Sequence, residues 1–317
     1  MSQSLDFESS ITELEKRLEK LKVAAKSGKE DMTEQILDIE RQIRQRREQI
    51  YSSLTPLQTV QIARHPGRPT ISDYIDMIFT DFIELHGDRR FSDDRALIGG
   101  FARISGHKVM LLGHNKGKNI EENIERNFGQ AKPDGYRKAL RLMKLAEKYD
   151  VPVITLIDTS GAYPGLDAEE RGQAEAIARN LTEMARLEVP IICVVTGEGG
   201  SGGALGIGVG DVILMLANSV YSVISPEGCA SILWRDASFS SQAAEALKLT
   251  ASSLSRLGVI DEVIAEPGGA AHCYPKETAA ELKQALIKHL KHVSGWSPSK
   301  LVHRRFEKFS MMGIFNS

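Results

Sequence analysis

The sequence is poor in cysteine. Cys193, Cys229 and Cys273 are the only three, they lie far apart, and no CxxC pair exists. Such a set builds neither a zinc knuckle nor a disulfide framework, so each reads as an incidental thiol and no metal is expected on this chain. An excess of basic charge is also missing. Forty Lys and Arg face 42 Asp and Glu, for a net charge of −2, which excludes a general nucleic-acid-binding surface. No uncharged apolar run reaches the roughly 18 residues of a membrane span. The opening MSQSLDFESS lacks the basic–apolar–small pattern of a signal peptide, so the expected location is the cytoplasm.

What is present is the composition of an ordinary soluble globular protein, 42% apolar and 26% charged over 317 residues. That length suits one large domain with an appendage, or two domains. Residues 8–54 are highly charged and carry apolar residues at helical spacing. Ile11, Leu14, Leu18 and Leu21 form one stripe, and Met32, Ile36, Ile39, Ile43 and Ile50 a second. Ser27, Gly28 and Lys29 lie between them and can end a helix. The pattern predicts an antiparallel helical hairpin over 1–62 that covers either the main body or another subunit. Residues 63–70 (ARHPGRPT) hold two prolines and a glycine and read as a linker into a main domain at 63–317.

In the main domain, a helix is expected over 71–85, capped by Ser72 or Asp73. A strand pair is expected at 97–104 and 107–113 around Ser105 and Gly106, then an amphipathic helix at 134–149. Residues 151–157 (VPVITLI) and 189–195 (VPIICVV) are near-continuous apolar runs, the mark of strands buried on both faces. A helix over about 167–187 lies between them. Short strands follow at 212–217 and 220–224, helices at 241–248 and 276–292, and a strand at 259–265. The β–α–β–α–β alternation predicts an α/β fold with parallel strands and right-handed crossovers.

Two strand-to-helix junctions carry the chemistry: 157–165 (IDTSGAYPG) and 196–204 (TGEGGSGGA). Ligands of α/β sheets gather at the carboxyl ends of such strands. Glycines permit unusual backbone angles and close approach to a ligand, and a helix starting near Gly202 aims free N–H groups at an anion. A tight turn alone does not explain five glycines at 197, 199, 200, 202 and 203. Three motif readings compete here. Residues 197–202 fit GxGxxG, but residues 216–225 contain no acid and no first-strand fingerprint appears, which argues against a dinucleotide. A P-loop needs Lys-Ser/Thr where Ala204 and Leu205 stand. Residues 199–203 fit GxSxG, with Ser201 as a nucleophile and Asp211, Asp236 or Asp261 ahead of His272 in the order of a serine hydrolase. That reading remains open at this point, although the glycines exceed what an elbow needs.

The same residues carry a resemblance. The chain resembles the family of the carboxyltransferase α subunit of bacterial and plastid acetyl-CoA carboxylase, over nearly its whole length. The resemblance rests on 84–89 (ELHGDR) with Asp93, Asp94, Gly99 and Gly100, on 132–138 (KPDGYRK), on 158–165 (DTSGAYPG), on 197–204 (GEGGSGGA) and on 225–234 (SPEGCASILW). It implies a crotonase-like fold of repeated ββα units with an N-terminal helical extension. It implies an α2β2 assembly with a zinc-ribbon-bearing β subunit, together with a biotin carboxyl carrier protein and the biotin carboxylase of a larger, ATP-binding complex. It implies transfer of a carboxyl group from carboxybiotin to acetyl-CoA, giving malonyl-CoA for fatty acid synthesis. Gly202 and Gly203 are then expected to donate N–H groups to the biotin ureido oxygen, and Gly161, Ala162, Gly199, Gly200 and Ser201 to line the substrate cleft. Biotin's own nitrogen takes the acetyl proton, and the β partner holds the thioester oxygen. A non-catalytic interaction subunit is the further alternative.

Other residues carry two readings each. His86, Asp88 and Arg89 contact CoA or a carrier protein, or else form an interlocking loop. Glu227 and Gly228 resemble a turn of that family which opens a helix near the cleft, or simply cap that helix. Lys132 and Arg137 attract CoA phosphates or sit on a solvated helix face. Residues 303–308 (HRRFEK) dock a partner or form a basic tail.

Overall fold

The protein was analysed as a computed structural model, which describes residues 5–26 and 32–313. The expected turn at Ser27, Gly28 and Lys29 lies outside the described residues. The two apolar stripes do form helices, α1 (Ser9–Lys26) and α2 (Thr33–Tyr51). They bury Ile11 against Ile39 and Ile43. Ser10 pairs with Arg46, Glu15 with Arg47 and Lys22 with Glu40, the order of an antiparallel pair. The hairpin rests on its own body. Tyr51 donates its hydroxyl to Glu8, Glu8 lies 3.7 Å from His272, and Arg47 Nη1 donates to Tyr274 Oη at 2.9 Å.

The next segment departs from expectation. Helix α3 (Pro56–Ala63) is opened by Thr55 and Gln58, each donating its backbone N–H to the other's side chain, with proline at the first helical position. It buries Val60 and Ala63 against Val220, Ala244 and Leu249, so the body reaches further back than residue 63. Residues 63–70 are no loose linker either. Arg68 is buried, forks onto Glu266 at 2.9 and 2.7 Å, and donates Nε to the Thr196 carbonyl at 2.7 Å.

Helix α4 (Ile71–Ile78) is shorter than predicted. Thr70, not Ser72 or Asp73, holds the cap position, and Asp73 reaches back to accept the Thr70 N–H at 2.9 Å. The rest of the predicted helix is strand β1 (Thr80–Glu84). β2 (Leu97–Ile104) and β3 (His107–His114) form the expected hairpin, turned by Ser105 and Gly106 at positive φ. Then come α5 (Ile120–Glu125), α6 (Pro133–Lys148), and β4 (Val153–Thr159). The predicted helix over 167–187 is two helices, α7 (Leu166–Glu170) and α8 (Gln173–Arg186), broken at Gly172, whose φ is 80°. β5 (Ile191–Gly200) is followed by α9 (Ser201–Leu205), β6 (Val212–Leu216) and β7 (Val220–Ser222). α10 (Pro226–Trp234), α11 (Ser240–Leu247), α12 (Ala251–Arg256), β8 (Glu262–Ile264), α13 (Pro275–Val293) and α14 (Pro298–Ser310) complete the chain.

One mixed sheet runs β1-β2-β3-β4-β5-β6-β8. β1, β2 and β3 pair antiparallel, and β3 onward pair parallel. Alternate residues of the central strands feed two cores. Val153 and Ile157 face the cluster with Leu142 of α6 and Met184 of α8. Ile154 and Leu156 face the cluster with Ile71 of α4 and Leu282 of α13. Burial on both faces is why these strands read as unbroken apolar runs. Beyond Val195, β5 leaves β6 and pairs with β7 instead, so the sheet parts where the glycines stand.

The basic stretch 303–308 is not a free tail. Arg305 is 1% exposed and every guanidinium nitrogen donates. It binds Asp211 at 3.0 and 2.7 Å and the carbonyls of Met184, Leu187 and Val189. Among the described residues, no helix is long and apolar enough to cross a membrane.

Candidate active site

The parallel strands β4 and β5 end side by side, and their junctions form one cleft of about 640 Å³. Gly161, Ala162, Ser201, Gly202 and Gly203 all line it. Tyr163, Gln173 and Ile177 are among the other residues of its walls. Gly199 and Gly200 do not belong to this lining. Both lie within β5, paired with Tyr221 and Ser222 of β7. The expected glycine loop is thus mostly strand, and only its second half is a helix start.

Close approach explains the glycines that are packed. A Cβ on Gly203 would stand 2.4 Å from the Ala162 nitrogen, and one on Gly200 would stand 2.1 Å from the Ser160 carbonyl oxygen. Those atoms are backbone and cannot turn aside. The two junctions therefore touch main chain to main chain. A Cβ on Gly202 would meet nothing nearer than Ile177 at 3.8 Å, so Gly202 faces the opening. Ser201 takes a left-handed φ of 52° and swings the chain from strand into α9. A non-glycine residue there costs of order 1–3 kcal/mol.

The amides of Gly202 and Gly203 fall in the first turn of α9, where a helix offers no intrahelical acceptor. The back of α9 is held by buried side chains. Tyr136 Oη donates to the Gly203 carbonyl at 3.1 Å, and Asn180 Nδ2 donates to the carbonyls of Tyr136 and Gly206 at 3.0 and 2.9 Å. On the facing junction, the Gly161 N–H is taken by Thr159 Oγ1 at 3.2 Å, and the Thr159 hydroxyl donates to the Gly161 carbonyl at 2.7 Å. Gly161 is thereby a fixed wall and not a donor into the cleft. Tyr163 is tied by its N–H to the Ala131 carbonyl at 3.1 Å, with Lys132 Nζ 4.7 Å above its ring.

A charged network unseen in the sequence reading underlies both junctions. Lys116 Nζ bridges Asp158 at 2.7 Å and Glu198 at 3.1 Å. Arg64 bridges Glu198 at 2.7 Å and Glu227 at 2.8 Å. Asp158 also accepts the Glu198 N–H at 2.9 Å. Burial alone would discharge the Lys116 ammonium, but Asp158 and Glu198 outweigh it and hold the group above its ordinary value. Burial likewise raises Glu198, and Lys116 and Arg64 outweigh that and lower it. Lys116 and Glu198 thus stay ionised, and the network clamps β4 to β5 where their register shifts between Ile157 and Thr159. The only clue in the sequence was a lysine two residues beyond an apolar strand.

The remaining candidates resolve as follows. His86, Asp88 and Arg89 form the interlocking loop. Asp88 accepts the N–H groups of Arg90, Phe91 and Ser92, His86 lies 3.0 Å from Asp93, and Arg89 donates to the His86 carbonyl. Glu227 sits in the first turn of α10, with Ser225 accepting the Gly228 N–H. Lys132 pairs with Asp167 at 3.2 Å and stays partly open to solvent. Ser201 has no histidine beside it in the cleft. His272 instead stacks on His65, with ring centroids 3.9 Å apart, and faces Glu8. The serine-hydrolase arrangement is therefore not assembled. Among the described residues, no three His, Cys, Asp or Glu side chains are placed to hold a metal ion.

The chain is similar in sequence and in fold to known proteins. The family described as acetyl co-enzyme A carboxylase carboxyltransferase-like matches residues 4–313. The acetyl-coenzyme A carboxylase carboxyl transferase subunit α of Synechococcus elongatus is 54% identical over 311 residues, covering 98% of this chain and 95% of that protein. Its counterpart in Chlorobium limicola is 53% identical over 326 residues, covering 98% of each. Among solved structures, a transcarboxylase 12S chain aligns with a TM-score of 0.58 at 19% identity, over 74% of this chain and 44% of that one. A Pseudomonas malonate decarboxylase hetero-tetramer in complex with coenzyme A aligns with a TM-score of 0.56 at 17% identity, over 68% of this chain and 86% of that one. These likenesses confirm the crotonase-like fold, and by its sequence the chain belongs to the family of the acetyl-CoA carboxylase carboxyltransferase α subunit.

Proposed function

We propose that this chain forms half of a carboxyltransferase site that moves a carboxyl group from carboxybiotin, borne on a carrier protein, to acetyl-CoA. The product is malonyl-CoA, a building block for fatty acids. The other half belongs to a zinc-ribbon-bearing β subunit in an α2β2 assembly, working in the cytoplasm with a biotin carboxylase. The observation that carries this reading is the contact of Gly203 with the Gly161–Ala162 peptide, which leaves two first-turn amides beside a half-open cleft.

The residues suit a ureido ring. The floor at Gly202 carries no side chain, and Tyr163 and Ile177 supply apolar walls. Carboxybiotin supplies the carboxyl group and, having given it up, a ring nitrogen basic enough to take the acetyl proton. This chain's part is electrostatic. Gly202 and Gly203 hold their N–H groups where negative charge grows on the ureido oxygen. Fixed backbone donors need no reorganisation and do not titrate, and one such donor is worth about 3–4 kcal/mol in the transition state. The β subunit's donors serve the thioester oxygen.

The test is reconstitution. The chain, a β-type partner, acetyl-CoA and carboxybiotin are mixed and malonyl-CoA is measured. Formation in the mixture and not with either chain alone supports a shared site. A mixture whose rate ignores substitutions at Gly202 and Gly203 makes this chain a non-catalytic interaction subunit.

A further inference from the structure

Beside the cleft lies a second pocket, of about 270 Å³, between α6, α8 and the loop preceding β2. Its walls carry Arg89 and Arg90 from the loop, Arg137 and Arg141 from α6, and Arg179 from α8. Two acidic residues, Asp88 and Glu175, line it beside these five arginines. The pocket therefore carries an excess of three positive charges in a chain whose net charge is −2.

The arginines are held with little carboxylate compensation. Arg141 donates to the carbonyls of Gly87 and His86, and Arg89 to the His86 carbonyl. Arg137 donates to the Arg171 carbonyl, while its buried Nε has no partner. The shortest Arg179–Glu175 approach is 4.0 Å. Asp88 spends one oxygen on three backbone N–H groups. Burial and the neighbouring Arg89 push Arg141 below its ordinary value, and Asp93 and Asp88 offset them only in part, so like charges are crowded there at a cost. Arg89 is itself held at a left-handed φ of 64° by the loop. Strain and like-charge crowding in one concave place are the marks of a site awaiting a counter-charge.

We propose that this arginine pocket binds the phosphate or pyrophosphate group of a small phosphorylated ligand. Guanidinium forks match phosphate oxygens two at a time, and five arginines lining one pocket exceed what a carboxylate requires. The volume of about 270 Å³ admits a phosphoanhydride. Glu175 lines both this pocket and the cleft. The bound group thus belongs either to the nucleotide end of the acyl-CoA substrate or to a free phosphorylated metabolite.

The experiment is calorimetric titration of the full chain with inorganic pyrophosphate and with adenosine 3′,5′-bisphosphate. It needs no turnover, so it stands or falls apart from the carboxyl-transfer reading. Saturable binding that weakens with salt is expected, with Arg89→Gln and Arg141→Gln each weakening it roughly tenfold and Glu175→Gln tightening it a few-fold. Circular dichroism confirms that the variants are folded. Stronger binding of the bisphosphate, with a raised KM for acetyl-CoA and unchanged kcat in reconstituted Arg89→Gln, assigns the site to CoA. Equal binding of pyrophosphate with an unmoved KM assigns it to a free metabolite. No saturable binding of either probe at millimolar concentration, or equal affinity in the wild-type and both arginine variants, overturns the proposal.

Discussion

The two halves of the glycine run differ in what their missing side chains are for. Gly199 and Gly200 are strand residues, and a Cβ on either would strike the Tyr221 ring or the Ser160 carbonyl. There, glycine serves packing. Gly202 lies past the strand, faces open space and sits in the first turn of a helix. There, glycine serves access. Gly203 does both, since it presses on the Ala162 amide while its own amide lies in the same free turn. One composition bias thus hides two physical causes, and only the second bears on catalysis.

That contrast can be broken by substitution. Gly203→Val is expected to have the largest effect, because its side chain meets backbone and misplaces a donor. Malonyl-CoA formation should fall by about 10²–10³-fold, and stability by roughly 1–3 kcal/mol, read by rate and by Tm. Gly202→Ala should keep Tm, because the methyl meets only Ile177. Transfer should still drop by about 10- to 100-fold, because the methyl stands where the ligand docks. Gly199→Ala should do the reverse. The packed Tyr221 ring must yield, so Tm falls while kcat per folded molecule holds. Ser201→Ala should change the rate less than about threefold, because a fixed amide and not the hydroxyl does the work. A total loss there, with an acyl-serine trapped in the wild type, contradicts the account.

The smallest effect is expected far from the cleft, where the hairpin meets the body. Burial pushes the His272 imidazole down, but Cys273 and Glu8 outweigh it and raise it from 6.5 to about 9. Burial pushes Glu8 up, and its bonds to His272 and Tyr51 outweigh that and lower it from 4.5. The sign follows for each group. The His272 contribution is complete below pH 6.5 and is lost as pH rises through about 9. The Glu8 contribution is complete above its ordinary value of 4.5 and is lost as pH falls through its depressed value. Hydrogen exchange of α1 and α2 should therefore be slowest between pH 4.5 and 6.5, after correction for intrinsic rates. Glu8→Gln should flatten that dependence without moving kcat.

How much of this was legible in the sequence depends on range. The β2–β3 hairpin, the doubly buried strands β4 and β5, and the α1–α2 stripes are written in local periodicity, and all three form. Gly161, Ala162, Ser201, Gly202 and Gly203 were legible as a cleft because strand ends concentrate ligands. What escaped depends on residues far apart in the chain. Arg68 looked like part of a linker until Glu266, 198 positions later, made it core. Arg305 looked like a basic tail until Asp211 buried it. Lys116 shows no pattern of its own, because its meaning lies in Asp158 and Glu198. The break at Gly172 was visible as a glycine within a helical pattern, but propensity alone does not say that it takes a positive φ. The start of β1 is not legible because its five residues, TDFIE, are largely exposed and carry no buried alternation, and only Phe79 separates them from α4.

The most direct test compares Gly202→Ala and Gly199→Ala in one reconstituted carboxyl-transfer assay, with Tm measured beside it. The account predicts that Gly202→Ala loses transfer at unchanged Tm while Gly199→Ala loses Tm at unchanged kcat. If Gly202→Ala transfers the carboxyl group at the wild-type rate, the reacting group does not dock against the first turn of α9 and the assignment of the site is contradicted.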